Sequence, residues 1–150
     1  LWAKSVAGVD NAWSYPTTPG PGQVTVIFVG SATISAVETY IGTVMPVTSD
    51  LTVNNPTNKT VDIDISITPI SAALQSAITD YLTQHFDEVA KPGDDLLISQ
   101  IRDAIASTGV TDYVITGIDV DASPVDPDSN IDFNGFEYPV LGTITIIELV

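Results

Sequence analysis

The sequence contains one histidine, His85, which is the first candidate for a general base. A Ser-His-Asp triad would require its imidazole to contact an activated serine and an orienting carboxylate. The sequence offers no nucleophile-elbow pattern that would supply such a serine. His85 falls beside the apolar stripe of a predicted helix. We therefore interpret it as a partly buried or interface histidine and predict no catalytic residue here.

The strongest metal-like pattern lies in residues 126–134, where oxygen-bearing side chains alternate along the chain. Hard cations such as calcium bind through ligands of this kind. Aligning Gly135 with the sixth position of an EF-hand loop places three of these side chains at positions one, three and five: Asn130, Asp132 and Asn134. The twelfth position is then Leu141 instead of the required bidentate glutamate. We therefore predict no metal ligands and a loop that is solvated or faces a partner, with calcium binding as the alternative.

The remaining candidates for chemistry are weaker. Asp62 and Asp64 are adjacent on one face of a predicted strand and could form an acid/base pair if they were buried. Their alternation with apolar residues directs them outward, so we expect a solvated or interface face. A small hydrolase that uses Asp62, Asp64 and Asp132 remains a minor alternative. Residues 58–60 have the form of a glycosylation acceptor, which we interpret as accidental. The chain has no cysteine, P-loop or dinucleotide-binding turn, and no cofactor is predicted.

The composition excludes several classes of partner. The chain has 150 residues, 19 acidic and four basic side chains, and a formal net charge of −15. Nucleic acids and anionic membranes attract lysine and arginine, so neither is an expected partner. Hydrophobic residues make up 44% and charged residues only 15% of the chain, which argues for a folded protein. A surface with few charges costs little to desolvate and suits contact with other proteins.

Much of the negative charge is local. Seven acidic residues lie in one 26-residue stretch that contains no base: Asp112, Asp119, Asp121, Asp126, Asp128, Asp132 and Glu137. We expect this negative edge to stay solvated or to meet a basic neighbour. In the second case, salt should weaken the complex.

The hydrophobic periodicity predicts eight elements in the order β-α-β-β-α-α-β-β. The predicted strands cover residues 24–29, 51–53, 59–68, 112–120 and 141–150. The predicted helices cover residues 32–40, 70–89 and 96–107. Residues 1–22 read as an irregular lead-in, residues 122–137 as an acidic loop, and residues 23–150 as a single domain. The order predicts an α+β fold, a two-layer sandwich with helices on one face of a mixed β-sheet.

The succession of motifs resembles one known family. Gly20-Pro21-Gly22 leads into a strand that contains Val24 and Val26, and Pro46-Val47-Thr48 precedes another strand. Thr68-Pro69 then ends a strand before an amphipathic helix, and the tail reads Pro139-Val140-Leu141-Gly142-Thr143-Ile144. In this order the chain resembles the C-terminal half of the baseplate J-like family of contractile-tailed phages. The leucine at position 1 suggests a piece of a longer protein of this kind.

The resemblance implies a structural role without catalysis. Members of the family are wedge components of the tail baseplate, and they associate with other wedge and hub proteins and with further copies of themselves. We therefore expect a virion protein of a phage or prophage that is assembled in the host cytoplasm. The alternative is a ligand- or calcium-binding module of a tail fibre or surface adhesin.

Overall fold

The computed structural model describes residues 2–45 and 49–150, so the Pro46-Val47-Thr48 motif lies outside the described residues. The chain divides into two compact units between Thr57 and Asn58. We call residues 1–57 unit 1 and residues 58–150 unit 2. This division replaces the predicted single domain over residues 23–150.

The described residues of unit 1 form a three-stranded sheet and one α-helix. After a 3-10 helix at Trp2–Ser5, its elements are β1 (Val9–Pro16), β2 (Gln23–Gly30), α1 (Ile34–Val44) and β3 (Asp50–Asn54). The strand order is β1-β2-β3. Strand β2 pairs with β1 antiparallel and with β3 parallel. The helix buries Val37 and Ile41 against a core that includes Val26 and Phe28.

The predicted irregular lead-in over residues 1–22 is wrong, because β1 occupies its centre. Trp13 lies opposite Ile27 in the register, and Tyr15 lies opposite Thr25. The polar residues and Pro16 weaken the alternating apolar pattern by which a strand is recognised in a sequence. Pairing with the apolar β2 stabilises β1 despite its weak local preference for extended structure.

Unit 2 contains four strands and two α-helices. These are β4 (Thr57–Thr68), α2 (Ala72–Val89), α3 (Ile98–Ala106), β5 (Asp112–Val120), β6 (Ser123–Val125) and β7 (Glu137–Glu148). The sheet order is β6-β5-β4-β7, and β5 is antiparallel to both β4 and β6. Thr143 contacts Asp62 and Leu149 contacts Ile67. These contacts advance in the same direction along both strands, so β7 runs parallel to β4 and the sheet is mixed.

The core of unit 2 lies between one sheet face and the two helices. The four apolar side chains predicted to point inward from β4 are fully buried: Val61, Ile63, Ile65 and Ile67. Helix α2 adds Ile78, Leu82 and Phe86, and α3 adds Ile101 and Ile105. This arrangement confirms the predicted α+β class. No described helix is long and apolar enough to span a membrane.

The helices of unit 2 begin later than predicted. Helix α2 begins at Ala72 because the Ser71 side chain accepts a hydrogen bond from the Leu74 N–H, as an N-cap does. Helix α3 begins at Ile98 because Leu96 instead forms an isolated β-bridge with Ile131. The acidic loop over residues 122–137 also contains β6, and the last strand begins at Glu137, four residues before the predicted start.

Candidate functional site

His85 lies in a shallow depression between α2 and α3, with a volume of about 380 Å³. Glu88, Gln100, Asp103 and Ser107 also line this depression. The Nε2 atom of His85 is buried and makes no hydrogen bond with any described residue. Burial lowers the pKa of His85 below its ordinary value, and the negative charge of Glu88 partly opposes this. Because Nε2 forms a hydrogen bond with neither a serine nor a carboxylate among the described residues, the geometry lacks the hydrogen bonds of a catalytic triad.

Several oxygens of the loop that was weighed as a calcium site, over residues 126–134, are engaged within the protein. One carboxylate oxygen of Asp126 accepts a hydrogen bond from the Asp128 N–H at 3.0 Å, and the other accepts from Ser129 Oγ at 3.1 Å. Asp128 forms an ion pair with Arg102. Asn130 Oδ1 accepts a hydrogen bond from the Ile98 N–H at 3.2 Å, at the start of α3. In residues 2–45 and 49–150, no three His, Cys, Asp or Glu side chains converge to hold a metal ion.

The acidic loop is fixed to the body of unit 2. Leu96 and Ile131 exchange two backbone hydrogen bonds, of 2.9 and 3.0 Å. Ile131 and Phe133 are buried in the core. The Gly93 N–H donates to the Glu137 carbonyl oxygen at 2.8 Å. The loop is therefore packed against the rest of unit 2 through backbone hydrogen bonds and two buried side chains.

The negative edge predicted from the sequence is partly neutralised by bases from elsewhere in the chain. Lys59 Nζ lies 2.9 Å from an Asp121 carboxylate oxygen and 3.5 Å from a Glu137 carboxylate oxygen. The other Asp121 oxygen accepts the Thr60 N–H at 2.9 Å. The hydrogen bonds from Lys59 and Thr60 lower the pKa of Asp121, and the bond to Asp121 raises the pKa of Lys59. Lys59 and Arg102 lie outside the 26-residue acidic stretch and reach it only in the folded chain. Their ion pairs with it therefore could not be predicted from the order of the residues.

Asp62 and Asp64 lie on the sheet face opposite the helices, as the alternation predicts. Asp62 is directly opposite Asp119 in the register. Its Oδ1 atom accepts a hydrogen bond from the Thr143 N–H at 2.6 Å. Asp64 is exposed beside Gly117. The sheet places Asp62 and Asp64 on this outward face, whereas a buried acid/base pair would need an enclosed site.

The net charge is divided unequally between the two units. Residues 58–150 contain 16 of the 19 acidic side chains and three of the four basic ones, so unit 2 carries −13. Unit 1 carries the remaining −2. Two of the three bases in unit 2, Lys59 and Arg102, form ion pairs with its own acids. Most of the acidic side chains of unit 2 are therefore left for solvent or for a partner.

A groove between α2 and β7 is a surface feature that the sequence did not predict. It consists of two adjoining depressions of about 340 and 530 Å³, and both include Thr79 and Ile144 in their walls. The α2 wall presents side chains at four-residue spacing: Gln75, Thr79, Thr83 and Asp87. The β7 wall includes Leu141, Ile144, Thr145 and Ile146. We call this the α2–β7 groove. It depends on a long-range strand pairing, and the periodicity of each element alone contains no signal for it.

Comparison with known protein families divides the chain where the structure does. Residues 1–55 match the baseplate J-like central domain, and residues 61–147 match the C-terminal domain of the baseplate J-like protein. The first match ends just before the division between Thr57 and Asn58, and the second begins just after it.

Two curated proteins are similar over much of the chain. The protein JayE of Escherichia coli K12 is 33% identical over 156 residues, which cover 97% of this chain and 56% of JayE. The baseplate protein gp47 of Escherichia phage Mu is 34% identical over 134 residues, which cover 76% of this chain and 37% of gp47. The chain thus spans about half or less of the length of these relatives. From the two domain matches, the chain belongs to the baseplate J-like family, as its motifs suggested.

Proposed function

We propose that this chain is part of a baseplate wedge protein and that it acts by binding neighbouring tail proteins. The observation that carries this proposal is the match of two consecutive baseplate J-like domains, whose boundary coincides with the division of the fold. The family supports a structural role in a phage tail baseplate. The similarity to a baseplate protein of phage Mu supports the same role.

The proposed partners are other wedge and hub proteins and further copies of the same protein. The surface is compatible with such contacts because it combines few charges with exposed apolar side chains. Trp2 is 50% exposed in unit 1, and Tyr81 and Ile147 are 46% and 53% exposed in unit 2. Large exposed apolar side chains are enriched where proteins meet. We propose that these contacts form in the bacterial cytoplasm, before the finished tail leaves the cell.

We also propose that the chain has no catalytic activity. A structural family supports this, and so does the state of the groups that could do chemistry. His85 Nε2 has no hydrogen-bond partner among the described residues. Asp126 and Asp128 are occupied by hydrogen bonds or ion pairs within unit 2.

The test is deletion and complementation of the full-length gene in the phage or prophage that encodes it. We expect deletion to abolish tails with complete baseplates in electron micrographs, and mass spectrometry to detect the protein in purified wild-type baseplates. A triple variant, H85Q with D62N and D64N, should restore tails as well as the wild type. Normal tails without the protein would refute the structural role, and failure of a folded triple variant would refute the non-catalytic role.

A further inference from the structure

We infer that the α2–β7 groove receives an extended, lysine- or arginine-bearing segment of another protein, which adds to the sheet beside β7. This inference rests on the proposed function and deepens it, because it names the kind of partner that one surface takes. Addition of a strand to an exposed sheet edge is a common way for folded domains to recognise extended segments.

The direction of the β7 backbone leaves polar groups at an open edge of the sheet. Among the described strands of unit 2, β7 is at the end of the sheet and has β4 as its only neighbour. The Leu149 N–H points at β4, where it donates to the Ile67 carbonyl at 2.8 Å. Backbone groups alternate in direction along a strand. The N–H and C=O groups of Ile144, Ile146 and Glu148 therefore point away from β4, toward the open edge.

A side-chain contact supports this assignment of direction. The Gln75 side-chain amide reaches from α2 and donates to the Ile146 carbonyl oxygen at 3.4 Å. That oxygen therefore faces the groove and not β4. The contact is long for a hydrogen bond, so a better-aligned N–H from an added strand could displace it.

Residues 143–147 of this edge lack the usual protection, although Pro139 lies near the start of β7. Natural sheets block their edges with lysine, proline, bulges or a covering element. Residues 143–147 contain only threonine and isoleucine, both of which favour extended structure. Ile147 is 53% exposed. A segment of this kind tends to pair with another strand, and a stable partner would prevent uncontrolled pairing.

The shape and polarity of the α2 wall suit an added strand. Thr79 and Thr83 are short side chains, and their hydroxyls donate to carbonyls of their own helix, those of Gln75 and Thr79. They leave room beside β7 and place few unsatisfied donors there. Side chains on one face of an added strand would fill this room and contact Leu141 and Ile144 below it.

The negative charge around the groove favours a basic occupant. Asp80 and Asp87 are exposed on α2 and line the groove. Glu148 lies at the end of β7, and unit 2 as a whole carries −13. A second copy of the chain would bring the same excess of negative charge to this edge. A partner strand with lysine or arginine instead gains from the field of unit 2.

The test uses the 150-residue chain labelled with ¹⁵N and two capped nine-residue peptides. In the first peptide lysine alternates with valine and threonine, and in the second glutamate replaces each lysine. We expect the lysine peptide to shift the amide signals of Ile144, Ile146 and Glu148 and to slow their hydrogen exchange. The glutamate peptide should not. Binding should weaken when salt is raised from 20 to 300 mM.

Two pairs of variants test the wall and the charge separately. Thr79→Trp fills the groove and should abolish binding, whereas Ser99→Trp on α3 should bind as the wild type does. D80N with D87N should raise the Kd about tenfold, since each exposed ion pair contributes up to about fivefold in affinity. D64N with D103N changes the net charge equally outside the groove and should have little effect. Circular dichroism spectra would verify that each variant is folded.

Several results would overturn the inference. These are equal binding of both peptides, no binding of either at millimolar concentration, or shifts confined to the sheet face around Asp62 and Asp119. A dimer with these β7 amides already protected in the absence of peptide would show that a second copy is the occupant. The peptide titration does not depend on a tail, so the two proposals can fail separately. If the protein is found in baseplates but binds neither peptide, only the groove inference is rejected. Peptide binding without a place in baseplates would reject only the proposed function.

Discussion

Replacing Gly93 with alanine should release the acidic loop from the body of unit 2. Gly93 has a φ angle of +77°, in the left-handed region that disfavours side chains. A Cβ atom at this position would overlap the Gly135 carbonyl oxygen. That oxygen is backbone, so it cannot move without shifting the loop.

The cost has two parts that can be separated. Left-handed backbone at a non-glycine residue costs about 1 kcal/mol or slightly more. Relieving the overlap would also weaken the hydrogen bond from the Gly93 N–H to the Glu137 carbonyl, which spans 2.8 Å. Overpacking of this kind adds about 1–3 kcal/mol. We therefore expect Gly93→Ala to lower the free energy of unfolding of unit 2 by about 3 kcal/mol.

Gly109 is the matched control, because its φ angle is +81° and a Cβ atom there would meet nothing within 4 Å. Gly109→Ala should cost only the backbone strain, about 1 kcal/mol. In urea denaturation followed by circular dichroism, a slope of about 1 kcal/mol per molar gives midpoint decreases of about 3 M for Gly93→Ala and about 1 M for Gly109→Ala.

Hydrogen exchange locates the effect. Leu96 and Ile131 donate to each other across the bridge that holds the loop. Their amides should exchange faster in Gly93→Ala and at the normal rate in Gly109→Ala. Equal midpoints for the two variants, with unchanged exchange at the bridge, would show that the approach of Gly93 to Gly135 does not hold the loop.

Three further outcomes follow from the packing and charges. Leu82→Ala removes a fully buried side chain from α2 and should cost about 2–5 kcal/mol in thermal or urea unfolding, against about 0.5 kcal/mol or less for the exposed Gln84→Ala. Because burial lowers the pKa of His85 below its ordinary 6.5, the unfolded chain takes up a proton that the folded chain resists. Stability should therefore decrease as the pH falls below about 6.5, and His85→Gln should reduce this decrease in parallel denaturation curves. Calcium at millimolar concentration should produce no binding heat in calorimetry, because the Asp126 and Asp128 carboxylates are already engaged within unit 2. A saturable heat would support the metal site and contradict this prediction.

The sequence predicted the strands and helices whose apolar pattern matches their burial. The alternation at Val61, Ile63, Ile65 and Ile67 identified β4 and its buried face. The spacing of Ile78, Leu82 and Phe86 identified the buried stripe of α2. In these elements local preference and tertiary packing favour the same structure, which is why pattern alone was sufficient.

The sequence did not predict elements that depend on a distant partner. Strand β1 contains Asp10, Asn11 and Ser14, and it is extended because β2 pairs with it. Within the acidic loop, Ile131 and Phe133 alternate with acidic and amide residues, and this short alternation was the available signal of an anchored segment. The density of Asp and Pro around it obscured that signal.

The α2–β7 groove could not be predicted from the sequence for the same reason. The sequence identified α2 and most of β7, but the groove exists only because β7 pairs with β4 and leaves its other side open beside α2. Local periodicity does not determine strand order in a sheet. The two bases that neutralise part of the acidic edge, Lys59 and Arg102, likewise come from positions 62 and 26 residues before their acidic partners, Asp121 and Asp128.

The position of β7 also affects the order in which the chain can fold during synthesis. Its contact with β4 joins residues as far apart as Asp62 and Thr143, which are 81 positions apart. Such distant pairings form late, after the intervening chain has left the ribosome. Until then β4, the most buried strand of unit 2, has one open side. A chain truncated before β7 would keep that side open and would aggregate or be degraded. Closing the four-stranded sheet of unit 2 is therefore among the last steps in the folding of this unit.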